Sequence, residues 1–451
     1  MKLTQEYKTQ SIYIFIGLII LLFPFFSTYI FMLAFFCGAL VFSRLRPDSP
    51  VFGILARESD IKQGRLTGLT RLFLTMGALF LISSIVGPEK FPLFIIGGAM
   101  AITTFGDGVA DLINIHDRQK NSVKVYSPIS SIVFLISGGI FAFLAGEWIL
   151  RILAGGGQTI HYELVFFLAV LGAVTGALLE SMTSDEDNIV IPFGSAMTMW
   201  LFYAFRDSYV VGTVNLIQVL GFAFLLGYLA YRMRIADISA MLSATLLGVV
   251  IIISTSIWWY VTLLAFFFLG GLFTRYKYDF KKARGIAESK GGVRGYRNVF
   301  SNSLAALALA VAFKVFPLHA MLILPAYLGS ISTATGDTLA SEIGQTWEGE
   351  PRMITTLKKV RPGTDGGVTV LGEIAAFAGS GAIALLSLMF LKNDVGLALA
   401  VLAGGFIGTN IDSVLGATLQ QKGYLSNNGV NLFATISGAI VSAILYSSMG
   451  S

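Results

Sequence analysis

Runs of uninterrupted apolar residues, long enough to cross a bilayer, recur along the whole chain. Residues 69–86, 91–104, 129–150 and 395–406 with their flanks are examples. A hydrocarbon core about 30 Å thick asks for roughly twenty such residues per helical crossing. Of the 451 residues, 55% are hydrophobic and only 13% are charged, too few to clothe a soluble surface of this size. The expected fold class is all-α: a multi-pass integral membrane protein of about fifteen transmembrane helices. No soluble domain is left over.

The formal charge of +5 gathers in a few connectors, residues 44–71, 116–124, 232–234, 275–297 and 352–361. Alternate crossings from a cytoplasmic N-terminus put all five inside, as basic connectors require. The charge therefore reports topology and not a nucleic-acid partner. Cys37, the single cysteine, excludes disulfides and cysteine-based metal sites, and a packing role is expected for it. The basic start followed by an apolar run continuing to Phe42 is read as a retained first span.

The chain also repeats itself. Gly106-Asp107-x-x-Ala110-x-x-Ile113 returns as Gly336-Asp337-x-x-Ala340-x-x-Ile343, an offset of 230 (337 − 107). Glu58-Ser59 returns as Glu288-Ser289 at that offset, and Gly176-x-x-x-Glu180-Ser181 as Gly408-x-x-x-Asp412-Ser413 at 232 (412 − 180). Such separated matches in one register point to an internal duplication. A unit of about seven spans is odd, so direct fusion would invert the second copy. The run 210–231 has no counterpart and restores a parallel arrangement. The expected division is a first membrane domain at 1–208, a linking helix at 209–234 and a second membrane domain at 235–451.

Acids inside or at the ends of apolar spans are costly and mark function. Asp107 and Asp111 share a helix face, and Glu180, Asp185, Glu186 and Asp187 end a later span that also arrives inside. In the second half Asp337, Glu342, Asp365 and Asp412 occupy comparable cytoplasmic ends. Hard oxygen ligands of this kind suit Mg2+, which bridges carboxylates to substrate phosphates; Asp107, Asp111, Asp187, Asp337, Glu342 and Asp412 are the candidate ligands. Phosphates need donors too, and Lys358-Lys359-x-Arg361-Pro-Gly363-Thr364-Asp365-Gly366-Gly367 combines cations with glycines whose N–H groups can converge on an anion. The basic run 281–297, with Glu288, Arg294 and Arg297, could do the same, and lipid headgroups are an equal account of it.

Other patterns fail on context. Gly379-x-Gly381-x-x-Ala384 fits a dinucleotide fingerprint but lies within an apolar span with no preceding strand, which makes it helix packing. His116, His161 and His319 are scattered, as connector or interface residues would be.

At these motifs the chain resembles two related families. GDGVADL (106–112) and ESMTSDEDNIVIP (180–192) are similar to the polyprenol kinases, the dolichol and phytol kinase family. GVRGYRNVFSNS (292–303), GDTLASEIG (336–344), PRMITTLKKVRPGTDGGVTVLGE (351–373) and IDSVLGATLQ (411–420) resemble the phytyl-phosphate kinase family over roughly 235–447. The resemblance implies successive phosphorylations of an isoprenoid alcohol and its monophosphate, with CTP as donor. By carry-over, Asp107 with Glu180, Asp187 and Asn188 would form a first nucleotide–magnesium site. Asp337, Glu342, Asp365 and Asp412 would form the second, with Asp107, Glu180, Asp337 and Asp412 catalytic. Lys358, Lys359, Arg361, Gly363, Thr364, Gly366, Gly367, Arg294, Arg297 and Asn302 would hold phosphates. The first half departs from its family after Gly-Asp, reading INIHDRQKNSVKVYSPISS where a Gly-Arg and a Lys-Ser segment are usual.

Two other functions share these features. A lipid-phosphate cytidylyltransferase would use a similar site, and parallel repeats with charges at depth also describe transporters; against a transporter, the acids gather at one face instead of the midplane.

Overall fold

The computed structural model describes residues 2–118, 127–154, 162–182 and 186–449. Asp185 and His161 lie outside them, as does the side chain of His116. Twelve of the described helices are long and apolar enough to cross a membrane, and two shorter apolar ones, Thr28–Arg44 and Ile238–Ser254, join them. The chain is a polytopic helical membrane protein. It divides into two units, Met1–Gln218 and Val219–Ser451.

The first unit begins with α1 (Lys2–Gly17), extended by a 3-10 segment (Leu18–Phe25), then α2 (Thr28–Arg44) and α3 (Thr67–Val86). Next comes α4 (Leu93–Ala101), which passes through a π turn (Ile102–Asp107) into α5 (Gly108–Arg118). The unit closes with α6 (Pro128–Leu153), α7 (Tyr162–Met182) and α8 (Asp187–Ala204). Aromatic residues lock the α1 extension to α2 and α3: Phe23 meets Phe80 edge-on at 5.1 Å, and Phe80 stacks on Phe31 and Phe35, geometries that ring quadrupoles favour. Cys37, expected to pack, is exposed on α2; Phe31, Phe35 and Ala39 take the buried stripe of that helix.

The apolar run 210–231 forms α9 (Thr213–Arg232). After it, the second unit contains α10 (Ile238–Ser254), α11 (Ile257–Arg275), α12 (Tyr296–Val315) and α13 (Ala320–Gly344). A connector follows whose strands β1 (Arg352–Met353) and β2 (Gly367–Val368) pair antiparallel. Then come α14 (Val370–Ser387), α15 (Val395–Leu415), continued by a second π turn (Gly416–Gln420), and α16 (Asn427–Met449). Side-chain caps fix several starts: Asp237 accepts from Ala240 N, Thr369 from Gly372 N and Asp394 from Leu397 N, each at 2.9–3.0 Å, satisfying donors that a helix start leaves open.

The starts of α2 and α11, and those of α3 and α12, are separated by the same 229 residues (257 − 28 and 296 − 67).

In the second unit α13 through α16 cross at small residues. A Cβ on Gly336 would meet Ser380 Oγ and Thr409 Oγ1 at 2.7 Å, and one on Gly379 would meet Gly336 Cα at 3.1 Å. The Gly379 pattern is therefore helix packing, as its context suggests. Close backbone approach of this kind is how helices associate where no hydrophobic force separates helix from lipid.

Candidate functional site

In the second unit these crossings position the acids. Asp337 directly follows Gly336, and Asp412 sits one turn beyond Gly408, itself pressed against α13 and α16. The two carboxylates project from neighbouring helices, and Asp412 lies within the field of both Asp337 and Asp365. Asp412 Oδ2 is buried without a hydrogen-bond partner. Burying an acid among acids, with one oxygen unsatisfied, costs stability and points to a cation supplied from outside.

Asp365 arrives on the basic glycine connector, which docks on the end of α15. Gln421 Nε2 donates to Asp365 O at 2.9 Å. Gly366, at φ +76°, lies so close that a Cβ there would be 2.5 Å from Ala417 N. Gly363 has φ +83°, a conformation open to glycine and strained for other residues. The connector is tied internally by Met353 N to Lys358 O and Ile354 N to Gly366 O, at 2.9 and 3.0 Å. Thr364 caps its own turn onto Arg361 O. Lys358, Lys359 and Arg361 are exposed on it, and Lys359 pairs with Glu350 at 2.8 Å. Gly367 forms β2 with Val368.

Glu342, grouped with these acids by sequence, is instead held by Lys281. The ammonium is 2.5 Å from Glu342 Oε2 and also donates to Phe273 O and Thr274 O at the end of α11. Arg294 joins this second cluster. Its guanidinium is buried over Phe266, with Nη1 unpartnered. Burial pushes it below its ordinary value, and the charges of Glu342 and Glu288 offset this in part. Arg297 is exposed and donates to Tyr296 Oη. Asn302 is buried in α12 and donates to Asn298 O. Sequence reasoning passed over Glu373 and Asn410, which bridge α14 and α15 at 3.3 Å. His319 is exposed at a helix start.

In the first unit, the π turn ends at Asp107, which is 4% exposed; such turns break the helical register and re-aim a side chain. Gln10 of α1 donates to Asp111 Oδ2. Arg57, from the connector between α2 and α3, stacks on Tyr13 at 3.9 Å. Burial opposes the charge of Arg57, but Tyr13, Asp107, Asp111 and Asp60 together raise it above its ordinary value. Asp60 is a structural acid, accepting from Arg57 N, Thr67 N and Oγ1, and Gly68 N. Glu180, Asp187 and Asn188 are all buried where α7 ends and α8 begins. Asn188 and Tyr13 both line Gly68.

Among the described residues no three His, Cys, Asp or Glu side chains form a ready-made metal cage. Mg2+ does not need one, since it is ordinarily held by one or two carboxylates, waters and substrate phosphates. Asp337 with Asp412, whose Oδ2 is unsatisfied, fits that donor set.

The integral membrane protein family DUF92 matches residues 221–439. The chain is 34% identical over 215 residues to an uncharacterised membrane protein of Methanocaldococcus jannaschii, spanning 48% of this chain and 87% of that one. It is 41% identical over 202 residues to an uncharacterised membrane protein of Synechocystis sp., spanning 44% of this chain and 78% of that one. With the chloroplastic protein VTE6 of Arabidopsis thaliana it shares 28% identity over 188 residues, 40% of this chain and 56% of that protein. No solved structure matches.

Proposed function

The chain belongs to the DUF92 integral membrane protein family through its second unit, and from that premise we propose that this unit is a kinase acting on an isoprenyl monophosphate in the membrane. The acceptor phosphate oxygen attacks the terminal phosphorus of a nucleoside triphosphate, CTP by family resemblance. The bond from that phosphorus to the bridging oxygen breaks, and isoprenyl diphosphate and nucleoside diphosphate leave.

The observation that carries this reading is the convergence of Asp337 and Asp412 beneath the docked connector that bears Asp365. The attacking oxygen is already anionic, so the reaction needs no general base. The acids are free to serve charge placement, which is most of phosphoryl-transfer catalysis. Mg2+, held by Asp337 and Asp412, would neutralise the phosphates when bound. Lys358 and Arg361 would offset the remaining negative charge, and the N–H groups near Gly363 and Gly366 would fix the orientation of the phosphates. The apolar tail would reach the site between helices from the bilayer.

The shared 229-residue spacing of α2 to α11 and α3 to α12, with the repeated Gly-Asp motif, supports reading the first unit as a diverged copy that makes the monophosphate from the alcohol, with Asp107, Glu180, Asp187 and Asn188. The test offers an isoprenoid alcohol and its monophosphate separately, with Mg2+ and labelled CTP or ATP. Asp337→Asn abolishes monophosphate turnover and Asp107→Asn abolishes alcohol turnover; alcohol phosphorylation that survives Asp107→Asn removes the first unit from the scheme.

A further inference from the structure

The polar cluster of the first unit holds groups that its internal bonds leave unused. Arg57 Nε and Nη2 are both buried without a hydrogen-bond partner. These two atoms form one edge of the guanidinium, the fork that grips a phosphate or carboxylate with two parallel bonds. Two further unpartnered buried atoms belong to the same neighbourhood. They are Tyr13 Oη, on a side chain 2% exposed, and Asn188 Oδ1, on one 5% exposed. Tyr13 lies under the Arg57 guanidinium, and Gly68, where a Cβ would be 2.5 Å from Tyr13 Oη and 3.2 Å from Asn188 Nδ2, brings the two together. Buried polar groups are rarely left unsatisfied without cause, and here three side chains from α1, a connector and α8 leave donors and acceptors open around one point.

We infer that Arg57 and Tyr13 form a phosphoryl-binding site in the first unit, with Asn188 Oδ1, an acceptor, facing a cation or hydroxyl that accompanies the phosphoryl group. The site stands in for the Gly-Arg and Lys-Ser donors that the sequence lacks after its Gly-Asp motif. Asp107 and Asp111 lie close enough to act on the charge of Arg57, and each probe is therefore offered with a divalent cation. Either a nucleotide or a lipid phosphate carries that chemistry. The inference concerns the first unit alone and does not depend on the second unit being a kinase.

The test measures the binding stoichiometry of two probes, CTP and farnesyl monophosphate, each with magnesium chloride, on the full chain in detergent. Arg57→Lys keeps the charge and removes the fork. One equivalent of at least one probe is expected to weaken about 10- to 100-fold, the loss of charge-assisted hydrogen bonds. The probe that weakens identifies the source of the phosphoryl group. If the second unit also binds that probe, two equivalents fall to one; if it does not, one falls to none, so the two readings fail separately. Tyr13→Phe removes a hydroxyl that satisfies nothing in the folded chain. Its melting temperature without ligand should equal or exceed that of the parent while probe binding weakens. Unchanged binding of both probes in Arg57→Lys overturns the site, as does a Tyr13→Phe protein that melts lower and binds normally.

Discussion

The Lys281 ammonium lies 2.5 Å from Glu342 Oε2 in the second unit, with the two side chains 1% and 9% exposed. It ties the connector after α11 to the end of α13, the helix that carries Asp337. Breaking such a pair by removing one partner costs about 3–5 kcal/mol, because the other charge stays buried alone. Lys281→Met is therefore expected to lower the melting temperature sharply. Lys281→Met/Glu342→Gln should recover the part owed to the stranded carboxylate, but not the part owed to Phe273 O and Thr274 O. A double variant no more stable than the single would contradict the pairing.

Asp412 illustrates the opposite case. Its Oδ2 is buried and unpartnered, and it faces the charges of Asp337 and Asp365. Asp412→Asn should raise stability by on the order of 1 kcal/mol, roughly 2–4 °C in melting temperature, while abolishing turnover. Thermal unfolding and phosphoryl-transfer assays on the same preparation check both halves. A loss of stability together with activity would make Asp412 a structural residue.

The spans were legible because hydrophobic runs of bilayer length leave a helix no alternative. Asp337 and Asp412 stood out too, since acids at span ends are conspicuous and these two match Asp107 and Glu180 at offsets of 230 and 232. The glycine connector was readable for the same local reason, and Gly363 and Gly366 do adopt positive φ. What escaped was long-range pairing. Glu342 looked like another metal ligand, and nothing in the local pattern shows that Lys281, 61 residues earlier, takes its charge. Arg57, Tyr13 and Gln10 were missed likewise, because a cation in a basic connector and polar residues near a first span look solvated until helices bring them against Asp107 and Asp111. The π turns at Asp107 and after Asp412 are backbone events with no residue signature.

The docking of the connector through Gly366 predicts a kinetic variant. Gly366→Ala places a Cβ 2.5 Å from Ala417 N at φ +76°, a strain of about 1–3 kcal/mol that the exposed connector relieves by lifting off α15. The expected result is a raised KM for the nucleotide, with a melting temperature close to that of the parent. An unchanged KM would separate the connector from nucleotide binding.

The most direct measurement is the mass of the lipid product when the purified chain is given geranylgeranyl monophosphate, magnesium and CTP or ATP. The predicted product is the diphosphate, formed with release of nucleoside diphosphate and absent from Asp337→Asn and Asp412→Asn. A cytidine-containing lipid with release of pyrophosphate, or diphosphate formation undiminished in Asp337→Asn, would contradict the account.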